Sequence, residues 1–441
     1  MDSVPTAAPA TAPAPPCAQT LTTRFATVRA HTLALAAPLS AEDAMVQSMP
    51  DASPAKWHLA HTTWFFERFI LAGLPGYKAV HPAWDFLFNS YYQSIGPMHA
   101  RPRRGLLTRP PLDEVIDYRH QVDARLVEAA TAGQLDSPAL QRLLLGLHHE
   151  QQHQELLLTD IKHAFWSNPL HPAYREQAGD EQAAGMRDGA VPLRWISRPG
   201  GTAHIGTASW PQDSTAFAYD NESPRHPVLL QPHALASRPV THGEFRQFIR
   251  DGGYHDPGLW LSDGWAWLQG EGVARPRYWH GELDRIFTLH GGCEADADAP
   301  ACHLAYYEAD AYARWAGARL PREAEWEQVA AEQAAAGPDP AGRGDDIVLH
   351  PRAAGAEGIN GFAQLFGGVW EWTASAYTAY PGYRPWPGSV GEYNGKFMNA
   401  QWVLRGGSCL TPAGHIRASY RNFFPSHARW QMAGLRLARD A

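Results

Sequence analysis

The run HHEQQHQELLLTDIKH, residues 148–163, sets four histidines among leucines and carboxylates. On a helix His149 and His153 stand four residues apart, so both rings leave one face a single turn apart and can share one metal ion. That face continues through Leu145, Gln152 and Leu156 as an inward stripe, whereas His148, Gln151 and Gln154 point elsewhere. A third imidazole comes from PAKWHLAHTTWFFERF, where Trp57, His61, Trp64, Phe65 and Arg68 share a face at helical spacing. Among those aromatics a charged imidazolium is costly and a neutral, metal-bound one is not. His58, on the adjacent face, is expected to be solvated.

His149-Glu150-Gln151-Gln152-His153 also fits the H-E-x-x-H pattern of zinc hydrolases, with Glu150 as general base. That reading needs a third ligand after the helix. Residue 156 is Leu, no G-x-x-H follows, and Glu176 would serve only if the apparent linker were a helix. Three neutral imidazoles leave a divalent cation with its whole charge and about three open positions in an octahedral count. A thiolate and a reduced oxygen species would neutralise that cation; without them in view, zinc is equally well accommodated. Glu150 and Glu155 are expected as structural partners or as groups that orient imidazoles.

The elements that position these residues follow from the surrounding periodicity. From Leu21 to about Phe165 apolar residues recur at three- and four-residue spacing, predicting helices near Thr22–Ala36, Pro54–Ala72, Leu112–Ala132 and Ser137–Phe165. Short connections and one long loop suit a four-helix bundle, which builds metal sites from side chains on facing helices. Residues 1–20 read as a disordered Ala/Pro tail and residues 167–191 as a polar linker, leaving a bundle of residues 21–166 and a second domain of residues 192–441. In the second domain Gly, Trp and Pro are frequent, and helical signals are confined to THGEFRQFIRDGG, YYEADAYARWAGA and REAEWEQVAAEQ. The expected class is therefore α followed by irregular α+β, without internal repeats.

A chain of 441 residues, 44% hydrophobic and 19% charged, exceeds what one core accommodates. Its net charge of −8 gives polyanions no sequence-independent attraction, so small molecules rather than nucleic acid or an anionic membrane are the expected partners. No apolar run approaches the roughly 18 residues of a membrane span, and the N-terminal stretch lacks the basic and apolar regions of a leader. Cys17, Cys293, Cys302 and Cys409, without a C-x-x-C pair, read as reduced thiols of a cytoplasmic protein, with a Cys293–Cys302 bridge as the alternative. The oligomeric state is left open.

Several separated motifs agree in order: WHLAHTTWFFE, HHEQQHQELLLTDIKH, LPREAEWE, FGGVWEWTASAY and LRGGSCLTP, followed by RASYRNFFP and AGLRLAR. Through them the chain, from about Leu21 to Asp440, resembles the ergothioneine-type sulfoxide synthases, or hercynine oxygenases. These combine a DinB-like bundle with a formylglycine-generating-enzyme-like domain of C-type-lectin fold. The resemblance implies Fe(II) held by three histidines, here His61, His149 and His153, with O2 as co-substrate. It implies a reaction joining a thiol sulfur to the imidazole carbon between the nitrogens of Nα-trimethylhistidine (hercynine), as a sulfoxide, in a cleft between the two domains. The open metal positions then take the thiolate, the imidazole nitrogen and O2. Formylglycine generation uses a cysteine pair where this chain offers only Cys409, and an ovothiol-type relative would be expected to carry a further methyltransferase domain.

A trimethylammonium group donates no hydrogen bond and is held by aromatic faces and an oriented polar neighbour. The resemblance assigns Asn422 and Phe423 to that group and the substrate's polar end, and Gln152 to the substrate imidazole. Composition alone would place Phe423 and Phe424 in ordinary core. Relatives that use γ-glutamylcysteine carry an acidic residue and, four positions on, an arginine where this chain has Phe424 and Ala428, so free cysteine is the expected sulfur donor. The segment FNSYYQSIGPMHARPRRGLLTRP matches the cysteine-using branch and implies Arg101 and Arg104 as a clamp on the cysteine carboxylate, since a guanidinium fork fits a carboxylate bidentately. Arg103 and Arg109 are expected to be solvated or structural. Tyr91 or Tyr92 is expected to donate a hydrogen bond or proton to oxygen at the iron, with Tyr377 and Tyr380 as alternatives from the second domain. Three other readings stay open: the same reaction with γ-glutamylcysteine as sulfur donor, a zinc hydrolase using Glu150, and a module that binds a quaternary ammonium ligand without turnover.

Overall fold

The computed structural model describes residues 18–176, 191–335, 348–355 and 359–441. Helix α1 (Ala18–Ala36) begins inside the stretch read as tail, because Leu21 and Phe25 already find core positions, each at most 3% exposed. Residues 1–17, with Cys17, lie outside the described residues. Helix α2 (Ala55–Phe69) is shorter than its apolar pattern: the backbone leaves helical geometry at Ile70 and Leu71–Gly73 forms a tight turn. The long loop that follows contains a short helix, α3 (Trp84–Phe88), and a two-turn 3₁₀ segment, Arg101–Leu106.

Helix α4 (Leu112–Thr131) buries Val115, Tyr118, Val122, Leu126 and Ala129 along one stripe, and opens with Asp113 and Glu114 where the helix dipole favours negative charge. Asp136 caps α5 (Ser137–Ser167), its carboxylate accepting the Ala139 amide at 2.8 Å. At 31 residues, α5 is roughly 46 Å long and serves both domains. A Cβ at Gly146 would stand 2.4 Å from the Phe66 ring, so glycine there lets α5 close on α2. After α5 the chain stays anchored: Tyr174 donates its amide to Leu289 and its hydroxyl to Leu35. Residues 177–190 lie outside the described residues.

The second domain is built from short strands and helices. β1 (Trp195–Arg198), β4 (His233–Ala236) and β12 (Ala438–Asp440) form one sheet, with β4 in the middle, so the domain's first and last strands meet on it. β2 (Gly201–Ile205) pairs with β3 (His226–Leu230), and β5 (Trp279–His280), β6 (Arg285–Thr288) and β7 (Gly291–Glu294) make a meander. The sheet that faces the bundle has the order β10-β9-β8-β11, from β8 (Trp370–Ala376), β9 (Gln401–Arg405), β10 (Asn422–Pro425) and β11 (Ala433–Gly434). Helices α6 (His242–Arg250), α8 (Tyr306–Trp315) and α9 (Glu323–Ala335) fall in the three predicted segments; α7 (Ser262–Glu271), interrupted by glycine, does not. Thr241 and Glu244 close a reciprocal cap on α6.

Buried ion pairs tie this domain together: Arg436 with Glu371 at 2.8 Å, and Glu323 between Arg405 and Arg421, each at 2.6 Å. Cys293, Cys302 and Cys409 are free thiols, so the Cys293–Cys302 alternative does not form. No helix among the described residues is long and apolar enough to cross a membrane.

Candidate active site

Where α2 crosses α5, His61, His149 and His153 each bring one ring nitrogen within 4.8 Å of the others. The Nε2 atoms of His61 and His149 are 3.2 Å apart. Two nitrogens about 2.1 Å from one ion at a right angle would be about 3.0 Å apart, so the spacing suits a shared divalent cation. His61 lies flat between Trp57 and Trp64, at centroid distances of 4.5 and 5.6 Å. Burial holds the His149 pKa down to about 3 and those of His61 and His153 well below the ordinary range, the neighbouring His149 ring adding to it at both. All three rings are therefore neutral and offer lone pairs. His149 turns its Nε2 to the cluster, and its buried Nδ1 has no hydrogen-bond partner.

The tautomers are fixed from outside. A carbonyl only accepts, so the 2.6 Å contact of His61 Nδ1 with the Phe88 carbonyl puts the proton on Nδ1 and leaves Nε2 bare. His58 donates from Nε2 to Asp160 Oδ2 at 3.1 Å, and its Nδ1 accepts from His153 Nδ1 at 2.8 Å, leaving His153 Nε2 bare as well. His58 is thus buried, 3% exposed, rather than solvated. α2 is covered on every side, so the face next to its apolar stripe is interior too.

The two glutamates do not orient imidazoles. Glu150 points to the far side of α5, where Arg29 and Arg119 hold it and Thr32 donates at 2.6 Å. Burial raises its pKa, but the two guanidiniums outweigh burial and keep it below the ordinary value. With both oxygens committed it is not placed as a hydrolytic base. Glu155 accepts from Trp370 Nε1 at 2.8 Å, Ser408 Oγ at 2.5 Å and Thr411 Oγ1 at 2.7 Å, a socket in the second domain. Glu176 is exposed and outside any helix.

Between the domains lies a cavity of about 330 Å³. His153 forms part of its wall, with His61 and His149 packed behind it at 0% and 1% exposure. The bundle contributes Tyr91, Arg101, Arg104 and Gln152, and β10 contributes Asn422, Phe423 and Phe424, so eight of the eleven site residues expected from sequence line it. Phe423 stacks on Tyr377 at 4.0 Å, and Asn422 Oδ1 accepts the Phe423 amide at 2.9 Å. Arg104 is buried over the face of Trp57, 3.4 Å from the ring centroid, and donates to Ser53 and Ser90, each at 2.9 Å. No carboxylate pairs with it among the described residues, and burial, with Arg101 next to it, brings its pKa down to about 9. Arg101 is exposed at the rim, bonded to the Asp51 carbonyl, while Arg103 and Arg109 face solvent.

Of the tyrosines, Tyr91 lines the cavity, and burial raises its pKa well above the ordinary value, with Tyr92 adding to it. Tyr92 is fully buried behind it, against Trp64 and Phe69. Tyr377 lies beneath Phe423 and bonds Asn221, and Tyr380 bonds Glu323, so neither reaches the cavity wall.

Several wall residues carry no local sequence signal. Tyr393 donates to Gln152 Oε1 and lies 5.7 Å from the His149 ring, while Gln152 Nε2 donates to Tyr420 at 2.5 Å. Both tyrosines come from loops of the second domain. Asp160, two turns beyond His153 on α5, also faces the cavity. Its helical spacing from His153 was the available signal.

A helical bundle carrying a histidine triad, joined across a cavity to an irregular sheet domain, defines a two-domain class. Residues 24–157 match the DinB superfamily, and residues 191–441 match the Sulfatase-modifying factor enzyme 1-like domain. A hercynine oxygenase of Mycolicibacterium smegmatis is 31% identical, over 96% of this chain and 99% of that one. A second, from Mycobacterium tuberculosis, is 31% identical over 95% of this chain and 98% of its own length. Ergothioneine biosynthesis protein 1 of Schizosaccharomyces pombe is 27% identical over 51% of this chain and 28% of that one. The chain belongs to the hercynine oxygenase family.

Proposed function

We propose that this chain is an Fe(II)- and O2-dependent sulfoxide synthase of ergothioneine biosynthesis, joining the sulfur of cysteine to the imidazole carbon of hercynine. One observation carries the reading: three buried neutral imidazoles converge beside a cavity with an unpaired guanidinium on one part of its wall and stacked aromatics with an asparagine on another. The reaction balances as thiol plus imidazole C–H plus O2 giving sulfoxide plus water. Fe(II) held by His61, His149 and His153 would supply adjacent positions for both substrates and O2, and the electron exchange that O2 requires.

The remaining work falls to the chain. Arg104, fixed by Ser53, Ser90 and Trp57, holds the thiol's carboxylate, with Arg101 at the rim. Gln152, held at both ends by Tyr393 and Tyr420, presents a fixed amide to the substrate imidazole. Phe423 and Asn422 receive the trimethylammonium end. Tyr91, whose phenol stays protonated through neutral pH, keeps its proton at Oη for the oxygen that leaves as water. Phe424 packs on Trp430 and Ala428 is fully buried, so no charge waits there for a glutamyl group, which supports free cysteine as donor.

Protein reconstituted anaerobically with Fe(II) is expected to consume O2 only when hercynine and cysteine are both present, one O2 per sulfoxide formed. Hercynine binding without O2 uptake would leave only a binding module. A marked preference for γ-glutamylcysteine would overturn the donor assignment.

A further inference from the structure

The buried carboxylate of Asp160 is half used. Its Oδ2 accepts the Ser53 amide at 2.8 Å and His58 Nε2 at 3.1 Å, while Oδ1 has no partner, on a side chain only 6% exposed that lines the cavity. A buried carboxylate oxygen without a donor costs free energy unless a ligand supplies one. Ser53 also takes the Arg104 guanidinium on its hydroxyl at 2.9 Å, and Arg104 Nε is itself unpartnered. One serine therefore holds a lone cation and a half-satisfied anion on the same cavity wall, a single residue apart.

Such a pair matches the two charges of a free α-amino acid, which are separated by one carbon. A primary ammonium donates hydrogen bonds and would satisfy Oδ1. A trimethylammonium group cannot, and a thiol acylated on its nitrogen has no charge to offer there. We infer that Asp160 is a specificity residue for the sulfur donor, its Oδ1 accepting the primary ammonium of free cysteine while Arg104 takes the carboxylate. The inference rests on the donor assignment made above. Of the other acidic residues of the wall, Asp51 is exposed at the rim and Glu155 is taken up by Trp370, Ser408 and Thr411, so neither substitutes for it.

The test compares L-cysteine with 3-mercaptopropionate, which is cysteine without its amino group, on the iron-loaded wild type and on Asp160→Asn. In the wild type, kcat/KM should favour cysteine by roughly tenfold to a hundredfold, the range of a charge-assisted hydrogen bond. In Asp160→Asn the ratio should fall close to one. Both thiols meet the same protein, so any loss transmitted through His58 cancels in the ratio. A ratio unchanged by the substitution overturns the inference and leaves the proposed reaction standing; turnover with γ-glutamylcysteine alone overturns both. Should Asp160→Asn be inactive, the iron-free wild type is titrated with L-alanine and with propionate. Tighter binding of alanine supports the inference, and equal or absent binding overturns it.

Discussion

Two polar clusters in this molecule are equally buried and differ in what they leave over. In the second domain Glu323 sits between Arg405 and Arg421, opposite charges meeting within 2.6 Å. At the crossing of α2 and α5, three imidazoles meet with their lone pairs turned toward one another and no opposite charge between them. In the first cluster each charge meets an opposite one inside the folded chain, with Arg405 Nε alone left without a partner. The second supplies no opposite charge of its own, and the difference is in balance: the first cluster settles its charges within the protein, the second leaves lone pairs free for a cation to take.

The sharpest way to break this contrast is to truncate one member of each cluster. His61→Ala should abolish metal retention and bring turnover down by at least 10³-fold, and the cavity left between Trp57 and Trp64 should cost the metal-free protein about 2–5 kcal/mol, as read by metal analysis and calorimetry. Glu323→Ala should leave metal retention intact and cost about 3–5 kcal/mol of stability by leaving the buried Arg421 without an anion, while Arg405 keeps Glu327. Glu150→Gln belongs with Glu323: stability should fall because Arg119 loses its anion and Arg29 keeps only Asp123, yet hercynine-dependent O2 uptake should persist in the folded fraction, which a hydrolytic base would not allow.

A smaller effect separates the tyrosines. Tyr91→Phe should lower kcat by about 10²–10⁴-fold, the usual worth of a positioned proton donor, with Tyr92→Phe within a few-fold of wild type.

The mildest test is one of pH. Two arginines hold the Glu323 pKa down to about 2, so its folded value lies below the unfolded one. Its contribution to stability is complete above pH about 4.3 and is lost as pH falls through about 2. Lys162 has the opposite leaning: burial lowers its pKa to about 8, so the folded chain binds fewer protons than the unfolded one between there and the ordinary lysine value. Stability should rise with pH across that window. Lys162→Met should raise the thermal midpoint at pH 7 and abolish that rise.

How much of this was legible in sequence depended on whether a group's partners lie on its own helix. His149 and His153 are one turn apart on α5, and His61 sits in an aromatic stripe, so periodicity exposed all three. His58 was misjudged because the pattern of α2 suggests a helix with one wet side, whereas α1, α4, α5 and the cavity enclose it. Glu150 and Glu155 were expected as structural partners or as groups that orient imidazoles, and only the first holds; one turns to arginines on α1 and α4, the other to a socket on β8 and the loop after β9, partners separated from them by long stretches of chain. Tyr393 and Tyr420 come from irregular loops with no period to read. In the second domain the three helices with unbroken apolar spacing were evident, and α7 was not, because Gly264 and Gly270 interrupt it.

The length of α5 has a consequence for how such a molecule can vary. The same helix carries two of the three histidines and, within a turn of His153, the glutamate plugged into Ser408, Thr411 and Trp370. A lineage that exchanged its C-terminal half for one of another shape would have to rebuild that receptacle first, or rotate its own histidine cluster out of alignment; diversification is therefore channelled into the loops that rim the opening.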